Sequence, residues 1–137
     1  DADLADRVTK ENLDEAAAFA KAFAGKMNAV VAITGAIDIV ADAEKAYCIY
    51  NGRPEMSSIT GTGCQLSALT AAFVTANQEQ PLEAAAAAVC AMGLAGEKAY
   101  ARLSELDGNA TYRNYIIDAI YCMNGEALEA GAKFEVR

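Results

Sequence analysis

The stretch over residues 59–73 constrains the fold most, because a strand pattern changes there into a helix pattern. The change falls at Gly61 and Gly63, and no glycine or proline interrupts the residues that follow, 64–76. Apolar side chains in that segment recur at spacings of three and four residues, which is one face of a helix: Leu66, Leu69 and Phe73. The sequence therefore predicts a tight turn that leads into a helix over about 64–77.

The glycine turn has the composition of an anion-binding site. Amide N–H groups in the first turn of a helix have no partner within the helix, and the helix dipole adds partial positive charge there. Glycine allows positive φ and lets a ligand approach the backbone closely. Such a turn favours an anion, usually a phosphate or a carboxylate, and the Cys64 thiol lies at its mouth. The alternative is a plain strand–helix turn with a small buried cysteine.

Composition excludes several classes of function. The net charge of −8 argues against sequence-independent nucleic-acid binding, and no apolar run reaches the roughly 18 residues that span a bilayer. The absence of histidine removes Ser-His-Asp and Cys-His catalysis. The four cysteines are widely spaced, which disfavours a zinc site. We expect a single domain over 1–137, reduced thiols, a cytoplasmic location, and no membrane or nucleic-acid partner.

The remaining pattern predicts helices around a narrow sheet. Further helices are expected over about 11–25, 82–102 and 112–123, and short strands over 28–34, 38–41, 45–50 and 55–60. The continuous apolar run of the first strand predicts that it is covered on both faces. The other three strands are expected to be antiparallel, with a hairpin turn at Asn51-Gly52. The structure of the residues after 125 is left open.

Two further positions have a chemical or packing interpretation. Thr34 ends the first strand, where ligands of open α/β sheets collect, so its hydroxyl is placed to meet a phosphate. An ordinary strand-end threonine is the alternative. Gly93 and Gly96 interrupt the long helix, and each costs about 1 kcal/mol relative to alanine. We interpret this pair as close-packing positions, with passage of a ligand as the alternative.

Three stretches together resemble hydroxyethylthiazole kinase, a family of the ribokinase-like fold. They are Val30 to Gly35 with Asp38 and Asp42, then Tyr50 to Gly52, and then Ile59 to Cys64. The resemblance covers about residues 8–125 and corresponds to the C-terminal half of the family. The T-G-x-G-C element is its more specific part, since other ribokinase-like kinases usually carry aspartate at the position of Cys64. The implied fold is α/β with three αβα layers, of which only the C-terminal half is present.

The resemblance implies a reaction and its site. ATP would phosphorylate the hydroxyethyl group of 4-methyl-5-(2-hydroxyethyl)thiazole in thiamine biosynthesis or salvage, with Mg²⁺. Thr34 would lie at the ATP phosphates, and Gly61 would contact the thiazole. The anion hole would be Gly61, Thr62 and Gly63, and Cys64 would occupy the position of the catalytic base. The family resemblance also implies a homotrimer with active sites between subunits.

Two departures from the family pattern shape the expected activity. Ala36 stands where several relatives have glutamate. The N-terminal half of the family, which supplies much of the thiazole pocket, an arginine near ATP and acidic groups used with magnesium, is absent. No residue of this chain is assigned to a metal, and these residues alone are expected to lack kinase activity. The alternatives are a catalytically inactive fragment that binds a nucleotide or anion or serves as an interaction domain, and a small thiol protein based on Cys64.

Overall fold

Residues 8–137 are described by the structure, a computed structural model. The elements in chain order are α1 Leu13–Met27, β1 Val31–Ile33, β2 Asp38–Ala41, β3 Ala46–Ile49, a 3₁₀ helix Pro54–Ser58, α2 Thr62–Ala76, α3 Pro81–Tyr100, α4 Asn109–Tyr121, α5 Gly125–Gly131 and β4 Phe134–Val136. All four predicted helices are confirmed, and their ends differ from the expected ones by at most three residues. Periodicity therefore located the helices well, because each is long enough to show one apolar face.

The sheet has four strands in the order β1-β2-β3-β4, and every neighbouring pair is antiparallel. β2 and β3 lie where the sequence predicted them, with Asp38 opposite Ile49. β4 comes from the C-terminal segment whose structure was left open, and Phe134 pairs with Ile49. The ring of Phe134 also meets Tyr47 edge-on at 5.5 Å between centroids, so an aromatic contact supports this pairing.

Side chains of the central strands β2 and β3 point alternately to the two faces of the sheet, and helices pack on both faces. Ile39 and Cys48 are buried on the face that α1 covers. Val40 and Ile49 point to the other face and pack against α3, where Val89 is 1% exposed. α2 and α4 pack on either side of α3 and contribute to the cores there. The result is three layers, αβα.

β1 differs from the strand expected over 28–34. It has only three residues, pairs antiparallel with β2, and leaves Ala32 exposed. The expectation of a strand covered on both faces is wrong within residues 8–137, because Ala32 is exposed on one face while Val31 and Ile33 are half-buried on the other. A continuous apolar run is typical of strands that are buried on both faces. Within the same residues β1 is also the edge of the sheet.

The strand expected over 55–60 is also wrong. Residues Pro54–Ser58 form a 3₁₀ helix, and Pro54 starts it with a preset φ. The hydroxyls of Ser57 and Ser58 donate to the carbonyl oxygens of Pro54 and Glu55, each at 2.7 Å. These local hydrogen bonds compete with a strand ladder and stabilise the helical turn.

Asn51 and Gly52 do not form a hairpin turn, because Asn51 is a buried bridge between distant segments. Its side-chain amide donates to Gly131 O at 3.0 Å and to Glu97 Oε1 at 3.1 Å, and its Oδ1 accepts from Lys133 N at 2.8 Å. Gly52 N donates to the same Glu97 oxygen at 3.0 Å, and Lys133 Nζ pairs with the other at 2.6 Å. We call these five residues the Asn51 junction.

Burial of the Glu97 carboxyl in the Asn51 junction would raise its pKa. Hydrogen bonds from Lys133, Gly52 and Asn51 to the charged form outweigh that cost and hold the pKa below its ordinary value. The carboxylate is therefore charged in the folded chain and joins α3, the segment after β3 and the segment before β4. The junction explains why β4 could not be predicted from its own residues.

The interpretation of Gly93 and Gly96 as close-packing positions is confirmed. A Cβ added at Gly93 would lie 2.7 Å from the carbonyl carbon of Asn51, and one at Gly96 would collide with the side chain of Met56. The carbonyl oxygen of Gly96 accepts a hydrogen bond from the Tyr112 hydroxyl at 3.0 Å. The two glycines let the segment after β3 cross α3 in direct contact with its backbone.

Candidate anion-binding site

The turn before α2 has the backbone geometry expected of an anion hole. Gly61 is the residue before the helix and has φ 96°, in the left-handed region. The first hydrogen bond of the helix is donated by Gln65 N to Gly61 O at 3.0 Å. Within residues 8–137 the amides of Thr62, Gly63 and Cys64 therefore have no acceptor, and no side chain caps this helix end. These three N–H groups are available to an anion.

The space beside Gly61 and Gly63, which we call the mouth of the turn, is open among the described residues. A Cβ added at Gly61 or Gly63 would meet nothing within 4 Å, and Cys64 is exposed. The alternative interpretation expected a buried cysteine, and on that point it is wrong, because Cys64 is exposed. Cys64 is also a free thiol, like the other three cysteines. Space and unpaired donors occur together at this turn, as binding of an anion requires.

Apolar side chains on both sides of the glycine turn anchor it to the core. Ile59 is 5% exposed and packs with Met92 and Ala95 of α3. Leu66, two residues after Cys64, packs against the same cluster and against the cluster of Val40 and Ile49 in the sheet. Packing on both sides of the turn holds its backbone in place without filling the mouth.

Thr34 lies exposed at the carboxyl end of β1, as the sequence predicted. None of the hydrogen bonds within residues 8–137 joins Thr34 to the turn at Gly61. The two share a common support, since the loop after Thr34 leads to Asp38, which pairs with Ile49, and Ile49 belongs to the cluster that Leu66 contacts. Thr34 and the turn are therefore each connected to the same sheet, with no hydrogen bond between them among residues 8–137.

Asp38 shapes the loop that follows Thr34. Its Oδ1 accepts from Gly35 N at 2.8 Å, which closes the loop from β1 to β2. Burial raises the pKa of Asp38 to about 6, against the smaller opposing effect of the Gly35 amide. Sequence reasoning noted Asp38 as the start of a strand and as part of the family resemblance, and it assigned the side chain no role. The signal was an aspartate three residues after a loop glycine, a spacing at which Asp side chains bond backbone groups locally.

Gln65 is a second residue that sequence reasoning missed. Its Oε1 atom is buried in the first turn of α2 and has no hydrogen-bond partner within residues 8–137. A buried carbonyl oxygen without a donor is uncommon in folded proteins. No pattern in the sequence indicated this, because burial of one atom depends on the neighbours that surround it.

The part of the chain that the structure describes has neither a metal-binding cluster of Cys, Asp or Glu nor a helix suited to span a membrane. Among the described residues, no group of three or more Cys, Asp or Glu side chains comes together in a way that could hold a metal ion. The residues present therefore do not fit a complete magnesium site, and no chemical step of this chain is assigned to Mg²⁺. In the same part of the chain, none of the helices combines the length and apolar character that crossing a membrane requires.

A three-layer α/β fold with an open glycine turn at a helix N-terminus is shared by proteins that bind phosphate groups. Comparison with known proteins narrows this class. The model of the hydroxyethylthiazole kinase family matches residues 6–126. A hydroxyethylthiazole kinase from Clostridium acetobutylicum is 56% identical over 135 residues, and one from Zea mays is 40% identical over 118 residues. The chain belongs to the hydroxyethylthiazole kinase family.

The chain spans about half the length of these relatives. The match covers 98% of this chain and 50% of the Clostridium acetobutylicum protein, and 86% of this chain and 41% of the Zea mays protein. The solved structure of a hydroxyethylthiazole kinase protein from Pyrococcus horikoshii OT3 has a TM-score of 0.81 at 33% identity, over 93% of this chain and 48% of that one. The expected fold class, αβα layers present as half of the kinase fold, is confirmed.

Proposed function

We propose that this chain carries the phosphate-holding half of an ATP-dependent hydroxyethylthiazole kinase. The reaction is phosphorylation of the hydroxyethyl group of 4-methyl-5-(2-hydroxyethyl)thiazole in thiamine biosynthesis or salvage. The observation that supports it is the open turn, where the amides of Thr62, Gly63 and Cys64 lack an acceptor among the described residues. Phosphoryl transfer depends mainly on positioning and on neutralising charge at the phosphoryl oxygens, which such amides do.

Each predicted site residue has a role in this proposal. Gly61, Thr62 and Gly63 surround the transferred phosphoryl group, and Gly61 also contacts the thiazole. Thr34 meets the ATP phosphates at the end of β1. Loss of one backbone donor of this kind costs roughly 3 kcal/mol of barrier in enzymes with an oxyanion hole. Membership in the hydroxyethylthiazole kinase family supports the proposed reaction.

Cys64 lies at the position of the catalytic base. A loose transition state requires little activation of the nucleophile, so the thiol either removes the hydroxyl proton or only orients the hydroxyl. A Cys64→Asp substitution in a complete enzyme separates these roles. If the position acts as a base, turnover is kept or rises, because a carboxylate accepts a proton readily. A large loss of activity would contradict the role as a base.

Titration calorimetry of the 137-residue chain with ADP tests the site directly. We expect weak ADP binding, because the amides of the turn and Thr34 are present. We expect little binding of the thiazole and no turnover, because much of the thiazole pocket is expected in the half of the relatives that this chain does not match. Absence of ADP binding would contradict the proposal. Robust phosphorylation by the chain alone would contradict the expectation that the unmatched half is needed for activity.

The second candidate function is a catalytically inactive nucleotide- or anion-binding fragment or an interaction domain. It is favoured by the same open turn in a chain that covers only about half of each relative. This second candidate would be supported if the chain binds ADP but shows no kinase activity after the unmatched half of the enzyme is added. A thiol protein based on Cys64 has no further observation in its favour.

The assembly and surroundings of the kinase form part of the same proposal. Mg²⁺ accompanies ATP, and its acidic ligands come from the half of the kinase that this chain does not match. The complete enzyme is a homotrimer with active sites between subunits, and it works in the cytoplasm without nucleic acid or membrane partners. The family resemblance supports these statements, and the composition of the chain agrees with them.

A further inference from the structure

Two aspartates stand at the two ends of β2, and each accepts hydrogen bonds from a loop. Asp38 is the first residue of the strand, and Asp42 follows its last. Asp38 Oδ1 accepts from Gly35 N at 2.8 Å in the loop that follows Thr34. Asp42 Oδ1 accepts from two backbone amides of the turn that leads to β3, at 2.8 and 2.7 Å. The two side chains therefore make the same kind of contact, but only the Asp38 contact lies beside Thr34.

The two carboxyl groups differ in what they contribute to stability at neutral pH. Hydrogen bonds from its turn hold the pKa of Asp42 below its ordinary value, so the charged form stabilises the fold. Burial raises the pKa of Asp38 to about 6, and the Gly35 amide offsets only part of that effect. None of the ion pairs within residues 8–137 includes Asp38. Groups that lower stability in this way are common at functional sites, where geometry matters more than stability.

The loop between β1 and β2 is anchored at its end, and residues 34–36 at its start are exposed. Ile37 is 7% exposed and packs in the cluster that α1 covers. Asp38 faces α3 on the other side of the sheet, since burial and then the nearby Asp38 carboxylate raise the pKa of Cys90 to about 11. The hydrogen bond from Gly35 N to Asp38 ties the exposed part of the loop to β2. The conformation at the start of the loop therefore depends on this bond.

We propose that Asp38 is a positioning residue for nucleotide binding, because through Gly35 N it holds the loop in the conformation that presents the Thr34 hydroxyl to the nucleotide phosphates. The inference rests on the proposed function, in which Thr34 meets those phosphates. Asp38 itself does not touch the nucleotide. A loop that leaves its binding conformation binds with an affinity reduced by the fraction of molecules in that conformation. One hydrogen bond to a charged group is strong enough to change that fraction about tenfold.

NMR of the isotope-labelled 137-residue chain measures both the nucleotide affinity, by titration with ADP at pH 7, and the loop bond, by hydrogen exchange of the Gly35 amide. In the parent chain the Gly35 amide is expected to be protected from exchange. Asp38→Ala is expected to lower the ADP affinity about tenfold or more and to speed this exchange. Asp38→Asn keeps an oxygen that accepts from Gly35 N, so it is expected to restore both to within about threefold of the parent chain.

Asp42→Ala is the matched control for Asp38→Ala. It removes two hydrogen bonds to loop amides at the other end of the same strand. The midpoint of thermal unfolding is expected to fall, because the turn between β2 and β3 loses its side-chain acceptor. The ADP affinity is expected to stay within about twofold of the parent chain, since effects of a surface turn are usually local. A general loss of stability would therefore act in the control as well, whereas the loop bond concerns Asp38 alone.

A double-mutant cycle with Thr34→Val tests whether Asp38 acts through Thr34. Valine has nearly the shape of threonine and lacks the hydroxyl, so this substitution alone is expected to weaken ADP binding. The double variant Thr34→Val with Asp38→Ala is expected to bind ADP no more weakly than Thr34→Val, because the loop then has no hydroxyl to present. Losses that add in the double variant would overturn the proposal.

The outcomes separate the positioning role from the proposed function. A parent chain that does not bind ADP would contradict the proposed function and the positioning role with it. ADP binding that Thr34→Val weakens and Asp38→Ala leaves unchanged would overturn the positioning role alone. Equal losses in Asp38→Ala and Asp42→Ala, or a loss that Asp38→Asn shares, would do the same. An unprotected Gly35 amide in the parent chain would overturn the role without any substitution.

Discussion

Two glycine pairs look alike in the sequence and have opposite surroundings in the structure. At Gly93 and Gly96 an added Cβ would collide with Asn51 and Met56, whereas at Gly61 and Gly63 it would meet nothing within 4 Å. The first pair is required by contact within the chain, and the second pair borders open space. The difference shows that, among residues 8–137, packing requires the first pair and not the second, whereas positive φ favours glycine at position 61. In the proposed function a phosphate occupies the space beside Gly61 and Gly63.

The polar groups of the two regions show the same contrast. In the Asn51 junction, the donors and acceptors of Asn51 and Glu97 are bonded to groups of distant segments. In the turn, the amides of Thr62, Gly63 and Cys64 have no acceptor within the described chain. Buried polar groups are normally paired, whereas exposed unpaired donors at a helix N-terminus are available for binding. The first region therefore stabilises the fold, and the second has free donors that the proposed function assigns to a phosphate.

The largest effect is expected from Gly93→Ala in the packed region. The new Cβ would lie 2.7 Å from the backbone of Asn51, so α3 and the segment after β3 must separate. We expect the free energy of unfolding to fall by about 3 kcal/mol or more, at the upper end of overpacking effects. Urea unfolding followed by circular dichroism measures it. A fall below about 1 kcal/mol would show that the contact relaxes easily and would weaken the contrast between the two glycine pairs.

An intermediate effect is expected from Asp38→Asn, which compares two partly buried carboxyl groups, those of Asp38 and Glu97. The folded chain holds the pKa of Asp38 at about 6, above its ordinary value of 3.8, whereas the pKa of Glu97 is lowered. Between pH 3.8 and 6 the folded state therefore binds the Asp38 proton more tightly than the unfolded state does. The free energy of unfolding falls as pH rises through this window, by up to about 3 kcal/mol in total.

Asparagine keeps an oxygen that accepts from Gly35 N and removes the titration. The Asp38→Asn chain is therefore expected to match the parent chain near pH 4 and to be more stable at pH 7. Urea unfolding at several pH values between 4 and 7 measures the difference. Glu105→Gln, at an exposed position, serves as the control and should follow the parent chain. Equal pH dependence in all three chains would exclude a buried Asp38 carboxyl as its source.

The smallest effect on stability is expected from Gly63→Ala in the open turn. Gly63 lies inside α2 without positive φ, and its added Cβ meets nothing, so the helix gains about 0.5 kcal/mol from the better helix former. The same methyl group occupies the space over the free amides. ADP affinity is therefore expected to fall at least tenfold in calorimetry. Unchanged affinity would show that the nucleotide binds elsewhere, and lost stability would show that the turn is packed after all.

Much of this fold could be predicted from residue patterns. The helices and the β2 and β3 strands show clear periodicity, and Gly61 and Gly63 stand out at the start of a helix. Three parts could not be predicted. The 3₁₀ helix at Pro54–Ser58 depends on local serine hydroxyls, the role of Asn51 depends on partners some 80 residues away, and β4 depends on its pairing with β3. Local sequence carries little information about such long-range contacts.

The candidate site divides in the same way. The positions of Thr34 and of Gly61 to Cys64 followed from sequence motifs, because a strand end and a helix N-terminus are local features. The roles of Asp38 and Gln65 required the structure, since burial of a carboxyl or of a single oxygen is set by neighbours from other elements. The openness of the turn also required it, because a motif does not show whether side chains fill the space above.

The sequence by itself determined the helices, the two central strands, the glycine turn and the resemblance to hydroxyethylthiazole kinases. These depend on spacings and residue types that act over a few neighbouring positions. Only the tertiary structure decided that β1 is the edge of the sheet within residues 8–137 and that Gly93 and Gly96 serve packing. Only the tertiary structure decided that the amides at Gly61 to Cys64 face open space. The physical reason is that burial and exposure belong to the whole folded arrangement, and no single segment encodes them.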